Sequence, residues 1–200
     1  RILCWFSDMG GYIHNLQNRV RDQRENLRAA HSRLEAIAVR DDLTGLYNRR
    51  HFLERLEEEL SLANRNHTPL YLAIIDLDHF KRVNDNYGHH SGDEVLSRFA
   101  RIASQGLRKS DLLARYGGEE FVVLFPHATE AACEAALERL RRRFAEQGYS
   151  FASDIKTTFS AGLTAFQPGE TADQLIKRAD SALYEAKSRG RNQVVQLPLS

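Results

Sequence analysis

Two strand-like runs, 112–116 and 121–125, stand on either side of Gly117-Gly118, and this limits the fold more than any other feature of the chain. Paired glycines permit a tight reversal, so the two runs should be adjacent antiparallel strands. Before them the hydrophobic pattern predicts a strand over 70–75, a helix through Phe80 and Val83, and a longer helix through Val95, Phe99 and Ile102. After them it predicts a helix from 129 to about 146 and a strand around 157–166, where Phe159, Ala161, Leu163 and Ala165 alternate with polar or small neighbours. A capping box, Thr171-x-x-Gln174, should open a last helix with Leu175, Ala179, Ala182, Leu183 and Ala186 on one face. Strands and helices alternate around a hairpin, which predicts an α+β fold: a mixed, largely antiparallel sheet flanked by helices. A doubly wound dinucleotide fold is excluded.

Upstream, Ile13, Leu16, Val20, Gln23, Leu27, Ala30, Leu34 and Ile37 follow one another in steps of three and four, a heptad seam with one polar and one small interruption. Such a helix would reach about 36 Å at ~1.5 Å per residue, and its apolar stripe is too narrow to fold alone. It suits pairing with its own copy as a parallel coiled coil; a helix packed on an absent domain is the alternative. Thr44-Gly45 breaks the heptad, and a new helix follows through Phe52, Leu53, Leu56 and Leu60. The expected division is a dimerising and signalling helix over 1–40 and a globular domain over 41–200. The apolar opening RILCWF marks 1–11 as the end of an upstream sensor region absent from this chain, and membrane anchoring of the full-length protein is compatible with it. No apolar run approaches the roughly 20 residues of a bilayer span, so the globular part is expected in the cytoplasm.

With 42% hydrophobic residues in 200, the chain can bury one sizeable core plus an appendage. Lys and Arg number 28 against 27 Asp and Glu, so no net field draws the chain onto nucleic acid, and phosphate recognition must be local. Cys4 and Cys133 lie far apart; Cys133 shares an apolar stripe with Ala136, Leu137, Leu140 and Phe144, as a buried thiol does. His79, His89 and His90 have no Cys or His at metal-ligand spacing and read as loop or supporting residues.

Asp76-Leu77-Asp78 ends the strand over 70–75, placing carboxylates where an apolar strand leaves the core, a suitable place for a hard cation. The same acids could simply cap a helix or face water. Glu119 and Glu120 follow the glycine pair, which by itself is commonly only a turn. Between these acids lie Lys81, Asn84 and Asp93, with a helix starting just after Asp78. Its free N-terminal amides, with Lys81 beside them, would cradle a triphosphate.

Read together, DDLTGLYNRR from Asp41, IDLDHFKRVNDNYGHHSGDEVL, RYGGEEFVVLF and RADSALYEAKSRGRN ending at Asn192 resemble the GGDEF family of diguanylate cyclases over about three quarters of the chain. The signature here is GGEEF at Gly117–Phe121, a form that the family also uses in active enzymes. The resemblance implies a palm-like fold and an enzyme that condenses two GTP into cyclic di-GMP and two pyrophosphates. The 3′-hydroxyl of one GTP would attack the α-phosphorus of the other across two facing domains of a homodimer. Mg²⁺ is the implied cofactor, with Mn²⁺ an alternative. By resemblance, Asp76, Glu119 and the Leu77 carbonyl hold the metal, with Glu120 a further acid. Asp76, Glu119 and Lys81 would be catalytic, and Phe80, Lys81, Gly117 and Gly118 would border the nucleotide. Asn84 and Asp93 would face the guanine edge, where a carboxylate accepts from the N1 and N2 donors that adenine lacks. Asp93 has a second reading, since Ser91 and Glu94 would form a capping box around it. Lys187 and Arg191 would meet the triphosphate; otherwise they are ordinary solvated charges. The coiled coil would then act as an input lever, setting how often the two halves meet productively.

Arg108-x-x-Asp111 is a pattern common by chance, but it stands nine positions before Gly117, where the resemblance implies a product-binding inhibitory site for cyclic di-GMP. Arg139 would join that site from a neighbouring domain. Three other functions stay open on the sequence: a cyclic di-GMP receptor without activity, a cyclase acting on ATP or a single triphosphate, and a dimerisation module that only relays a signal.

Overall fold

Strand β1 (Leu70–Leu77) is apolar on both faces because it forms the middle of a sheet covered by helices on each side. The computed structural model describes residues 19–24, 39–152 and 155–197. After β1 come α2 (Phe80–Tyr87), α3 (His89–Gly106), β2 (Leu112–Arg115), β3 (Glu120–Pro126), α4 (Glu130–Ala145), β4 (Phe159–Ala165), α5 (Ala172–Ser188) and β5 (Val194–Gln196), with α1 (Arg49–Asn66) preceding it. The sheet order is β2-β3-β1-β4-β5. All neighbours are antiparallel except the last pair, β4 and β5, which run parallel. The α+β fold with a largely antiparallel sheet is therefore the one expected from the sequence. The short β5 was not.

Alternation along β1 divides the interior. Leu70, Leu72 and Ile74 join Val122 and Leu124 against α1 and α5, while Ala73, Ile75 and Leu77 join Phe121, Val123 and Phe159 against α2, α3 and α4. In that second layer Phe99 contacts the rings of Phe121, Phe144 and Phe159 at centroid distances of 4.4, 5.2 and 5.6 Å. On the first face a Cβ at Gly162 would meet Ala179 O and Leu183 N at 2.2 Å, so the absent side chain lets the backbone of α5 lie directly on β4. Cys133 is fully buried as expected, and burial, with Asp111 next, pushes its thiol up to about 12.

Local signals were obeyed unevenly. Thr171 and Gln174 form the predicted capping box, and Thr129 caps α4. The box expected of Ser91 and Glu94 does not form. The helix begins earlier, after Gly88, so Ser91 already lies inside it, and its hydroxyl donates back to Tyr87 O at 2.9 Å. Glu94 pairs instead with Arg98 at 3.0 Å and accepts from Ser150 at 2.8 Å. Of the heptad positions, Val20 and Gln23 fall in a helical stretch over 19–24; the others, like Cys4, lie outside the described residues. Residues 40–197 belong to one compact unit, and among the described residues no helix is long and apolar enough to cross a membrane.

Candidate active site

The antiparallel register carries Asp76 opposite Glu120 on β3 and opposite Ser160 on β4, at the end of β1. Leu77 N–H donates to Glu119 O at 3.2 Å, which draws the β2–β3 hairpin against the end of β1. From the covering helix, Lys187 at the end of α5 reaches Asp76 Oδ2 at 2.9 Å.

Both acids are held above the usual carboxylate range. For Asp76 the main cause is burial; the hydrogen bond and charge of Lys187 pull the other way, Asp78 adds to the rise and Arg191 opposes it. For Glu119 the main cause is again burial, then the charge of Asp76, with Lys187 opposing and Glu120 adding. A buried and a half-buried carboxylate, the first raising the second, are groups a divalent cation would stabilise. Among the described residues no three His, Cys, Asp or Glu side chains converge to form a metal cage. Mg²⁺ commonly takes one or two carboxylates and completes its shell with water and substrate phosphates, so this donor set, with the adjacent Leu77 carbonyl, fits a cation that arrives with a triphosphate.

The hairpin loop spans 116–119, and neither glycine adopts the left-handed conformation expected of a two-residue reversal. Their requirement is space. A Cβ at Gly117 would lie 2.6 Å from Glu120 Oε2, whereas one at Gly118 would meet nothing within 4 Å, leaving its backbone open to a ligand. Arg115 fixes the loop, donating through Nη2 to Gly118 O at 2.8 Å and through Nε to Gly117 O at 3.2 Å. The same guanidinium holds both oxygens of Asp41 at 3.2 and 3.1 Å. Burial alone would raise Asp41, but hydrogen bonds from the Thr44 hydroxyl and amide, together with Arg115, outweigh it and leave the carboxyl below its usual range.

Helix α2 starts at Phe80 after His79, which is left-handed and offers no side-chain cap; Arg82 N–H already donates back to His79 O at 2.9 Å, so the phosphate cradle anticipated there is narrowed to the Phe80 and Lys81 amides. Lys81 in that turn is exposed and Phe80 is buried. Asn84 lies over the start of α3: a Cβ at Gly92 would fall 2.1 Å from Asn84 Oδ1 and 3.0 Å from Phe80 Cζ. That places Asn84 beside Asp93, the exposed neighbour of Gly92. Arg191 is exposed in the turn after α5 and sits close enough for its charge to act on Asp76.

A second cavity, of about 150 Å³, is lined by Arg108, Asp111 and Arg139 with Gly106 and Cys133. The R-x-x-D segment closes on itself, Arg108 N–H donating to Asp111 Oδ2 at 2.8 Å, and Arg139 Nη2 donates to Gly106 O at 2.9 Å. Arg139 thus lines the same cavity within one chain.

Sequence reasoning passed over three elements: the Asp41–Arg115 pair, the clearance at Gly92 and the surroundings of Asp78. Only Gly92 left a trace, as the glycine of SGDE, and it was absorbed into the capping reading.

Residues 38–193 match the family described as "Diguanylate cyclase, GGDEF domain". Diguanylate cyclase DgcP of Pseudomonas aeruginosa is 42% identical over 191 residues, covering 94% of this chain and 28% of that protein. The coiled coil and GGDEF domain of DgcB from Caulobacter crescentus, solved in complex with c-di-GMP, superposes with a TM-score of 0.78 at 31% identity, covering 91% of this chain and 99% of that one. The active GGEEF domain of a diguanylate cyclase from Vibrio cholerae gives a TM-score of 0.71 at 33% identity, covering 76% and 98%. The chain belongs to the GGDEF-domain diguanylate cyclase family, and it spans less than a third of the length of the DgcP relative.

Proposed function

We propose that this chain is the catalytic part of a diguanylate cyclase, condensing two GTP into cyclic di-GMP and two pyrophosphates as a magnesium-dependent homodimer. The observation that carries this is the meeting of Asp76, Glu119 and Lys187 at the end of β1, beside the open N-terminus of α2. A GTP 3′-hydroxyl attacks the α-phosphorus of the second GTP and pyrophosphate leaves; repetition in the other sense closes the ring. A divalent cation held by Asp76, Glu119 and the Leu77 carbonyl would, when bound, neutralise phosphate charge and favour the alkoxide. The chain's own part is to place the reactants. The α2 amides and Lys81 receive phosphate oxygens, Asn84 and Asp93 select guanine, and the Gly117-Gly118 backbone lets the nucleotide come close. Lys187 and Arg191 offset charge on the leaving pyrophosphate.

Each domain holds one nucleotide, so two must face each other, and the helix over 1–40 is proposed to pair with its copy and set that geometry; the DgcB relative, whose solved fragment contains a coiled coil, supports the reading. Arg108, Asp111 and Arg139 are proposed to bind the product and inhibit turnover, a reading supported by their shared cavity. An upstream sensor attached at 1–11 and a cytoplasmic catalytic domain complete the proposal. Incubation with Mg²⁺ and either GTP or ATP, followed by chromatography, tests it. Cyclic di-GMP from GTP alone is expected; an ATP product, or nucleotides left intact, would refute it.

A further inference from the structure

Asp78 is 6% exposed, and it does not cap α2, whose cap residue is His79. Its Oδ1 accepts from Ser160 Oγ at 2.7 Å, and its Oδ2 accepts from Thr158 Oγ1 at 2.7 Å and from Asn192 N–H at 3.0 Å. The third donor lies beyond α5, in a turn where Gly190, Arg191 and Asn192 carry φ of 111°, 65° and 48°. Glycine enters that region freely and asparagine readily, so Arg191 is the residue that its surroundings must hold there. Arg191 N–H donates to Ala186 O at 3.1 Å, Ala161 N–H to Gln193 O at 2.9 Å, and Arg141 Nη1 to Asn192 Oδ1 at 2.8 Å. The buried carboxylate gathers three donors and the Arg141 guanidinium holds the turn from its other side, and hydrogen bonds to such groups are the stronger ones.

We propose that Asp78 is a positioning residue: it clamps the left-handed 190–192 turn to the end of β1 and so aims Arg191 at the triphosphate beside Asp76. This rests on the cyclase reading above. Asp78 touches no substrate in this role; it fixes the cation that does. The acid motif at the end of β1 thereby divides its work, Asp76 facing the reaction and Asp78 anchoring the turn beside it.

The test uses the full chain carrying Asp78→Asn, whose amide nitrogen must face one of the donors that the carboxylate now accepts. Hydrogen exchange over 189–193 should quicken about tenfold, the amide bond of Asn192 having lost its charged acceptor, while β1 and β4 stay protected. Affinity for a non-hydrolysable GTP analogue should fall by roughly tenfold, and KM for GTP should rise more than kcat falls, because ground-state and transition-state phosphate contacts weaken alike. If Asp78 acts through Arg191, the Asp78→Asn, Arg191→Gln double variant binds no worse than Arg191→Gln alone. Unchanged exchange over 189–193, or penalties that multiply in the double variant, overturns the proposal. Should Asp78→Asn not fold, Thr158→Val removes a donor from the oxygen that holds Asn192, and a smaller, equally non-multiplying loss is expected; a multiplying one again overturns it. A wild-type chain that binds no GTP analogue defeats the cyclase reading and this role together, whereas wild-type binding with multiplying penalties defeats only the role of Asp78.

Discussion

Replacing Gly92 by alanine separates site geometry from stability. The added Cβ would lie 2.1 Å from Asn84 Oδ1, against the ~3.5 Å of an unstrained contact. The nearest obstructing atom is the tip of a rotatable side chain, and Phe80 Cζ at 3.0 Å has to give by only a few tenths of an ångström, so the helices need not part; the Asn84 amide turns away and leaves the guanine edge it is proposed to face. Loss of such a polar contact costs about 1–3 kcal/mol, which is roughly 5- to 150-fold in KM for GTP. Stability should move the other way or not at all, since alanine in a helix is favoured over glycine by roughly 0.5–1 kcal/mol. Steady-state kinetics with a melting curve decide the matter: a raised KM with Tm held within about 3 °C is expected. A KM equal to wild type, or a KM rise that merely follows a large loss of Tm, would refute the reasoning.

Arg108→Ala with Asp111→Ala should abolish cyclic di-GMP binding in calorimetry while turnover persists; retained tight binding would detach the cavity from inhibition. Asp76 and Glu119 bind their protons more tightly folded than unfolded, so their contribution to stability is full below the ordinary carboxylate values and is lost as pH rises through their raised native ones. Chelator-treated wild type should therefore lose stability relative to Asp76→Asn as pH rises above the ordinary carboxylate range of about 4, and added Mg²⁺ should recover part of it at neutral pH. A difference of opposite slope in denaturant titrations would contradict this. Polar replacement of Leu16, Leu27 and Leu34 should lower dimerisation and turnover together, as sedimentation and product assays would show; a fully active monomer would sink the lever proposal.

Much of this molecule was legible before folding because periodicity reports burial. The run around Ile74 and Ile75 is doubly covered, and the alternation of Phe159, Ala161 and Leu163 marks one face of β4. What stayed hidden was set by distant partners. Asp41 and Arg115 are 74 positions apart, and Asp78 and Asn192 are 114 apart, and nothing local in either segment announces the other. The three residues of β5 carry too little pattern to be read, and they pair parallel with β4 only after the chain has returned through α5. Ser91 misled because its neighbours spell a capping box, while Gly88 had already begun the helix. That acids end β1 and follow the glycine pair is plain in the sequence; that Asp76 raises Glu119 follows only from the register that presses the hairpin against β1.

If Glu119 and Asp76 jointly serve one divalent ion in phosphoryl transfer, pyrophosphate release by Glu119→Gln, measured beside wild type with GTP and Mg²⁺, must reveal it. Removal of one charged group from such a site should slow release by roughly 10²–10³-fold while leaving Tm unchanged or higher, since the carboxylate is held against burial. Release at the wild-type rate from the folded variant would contradict the account.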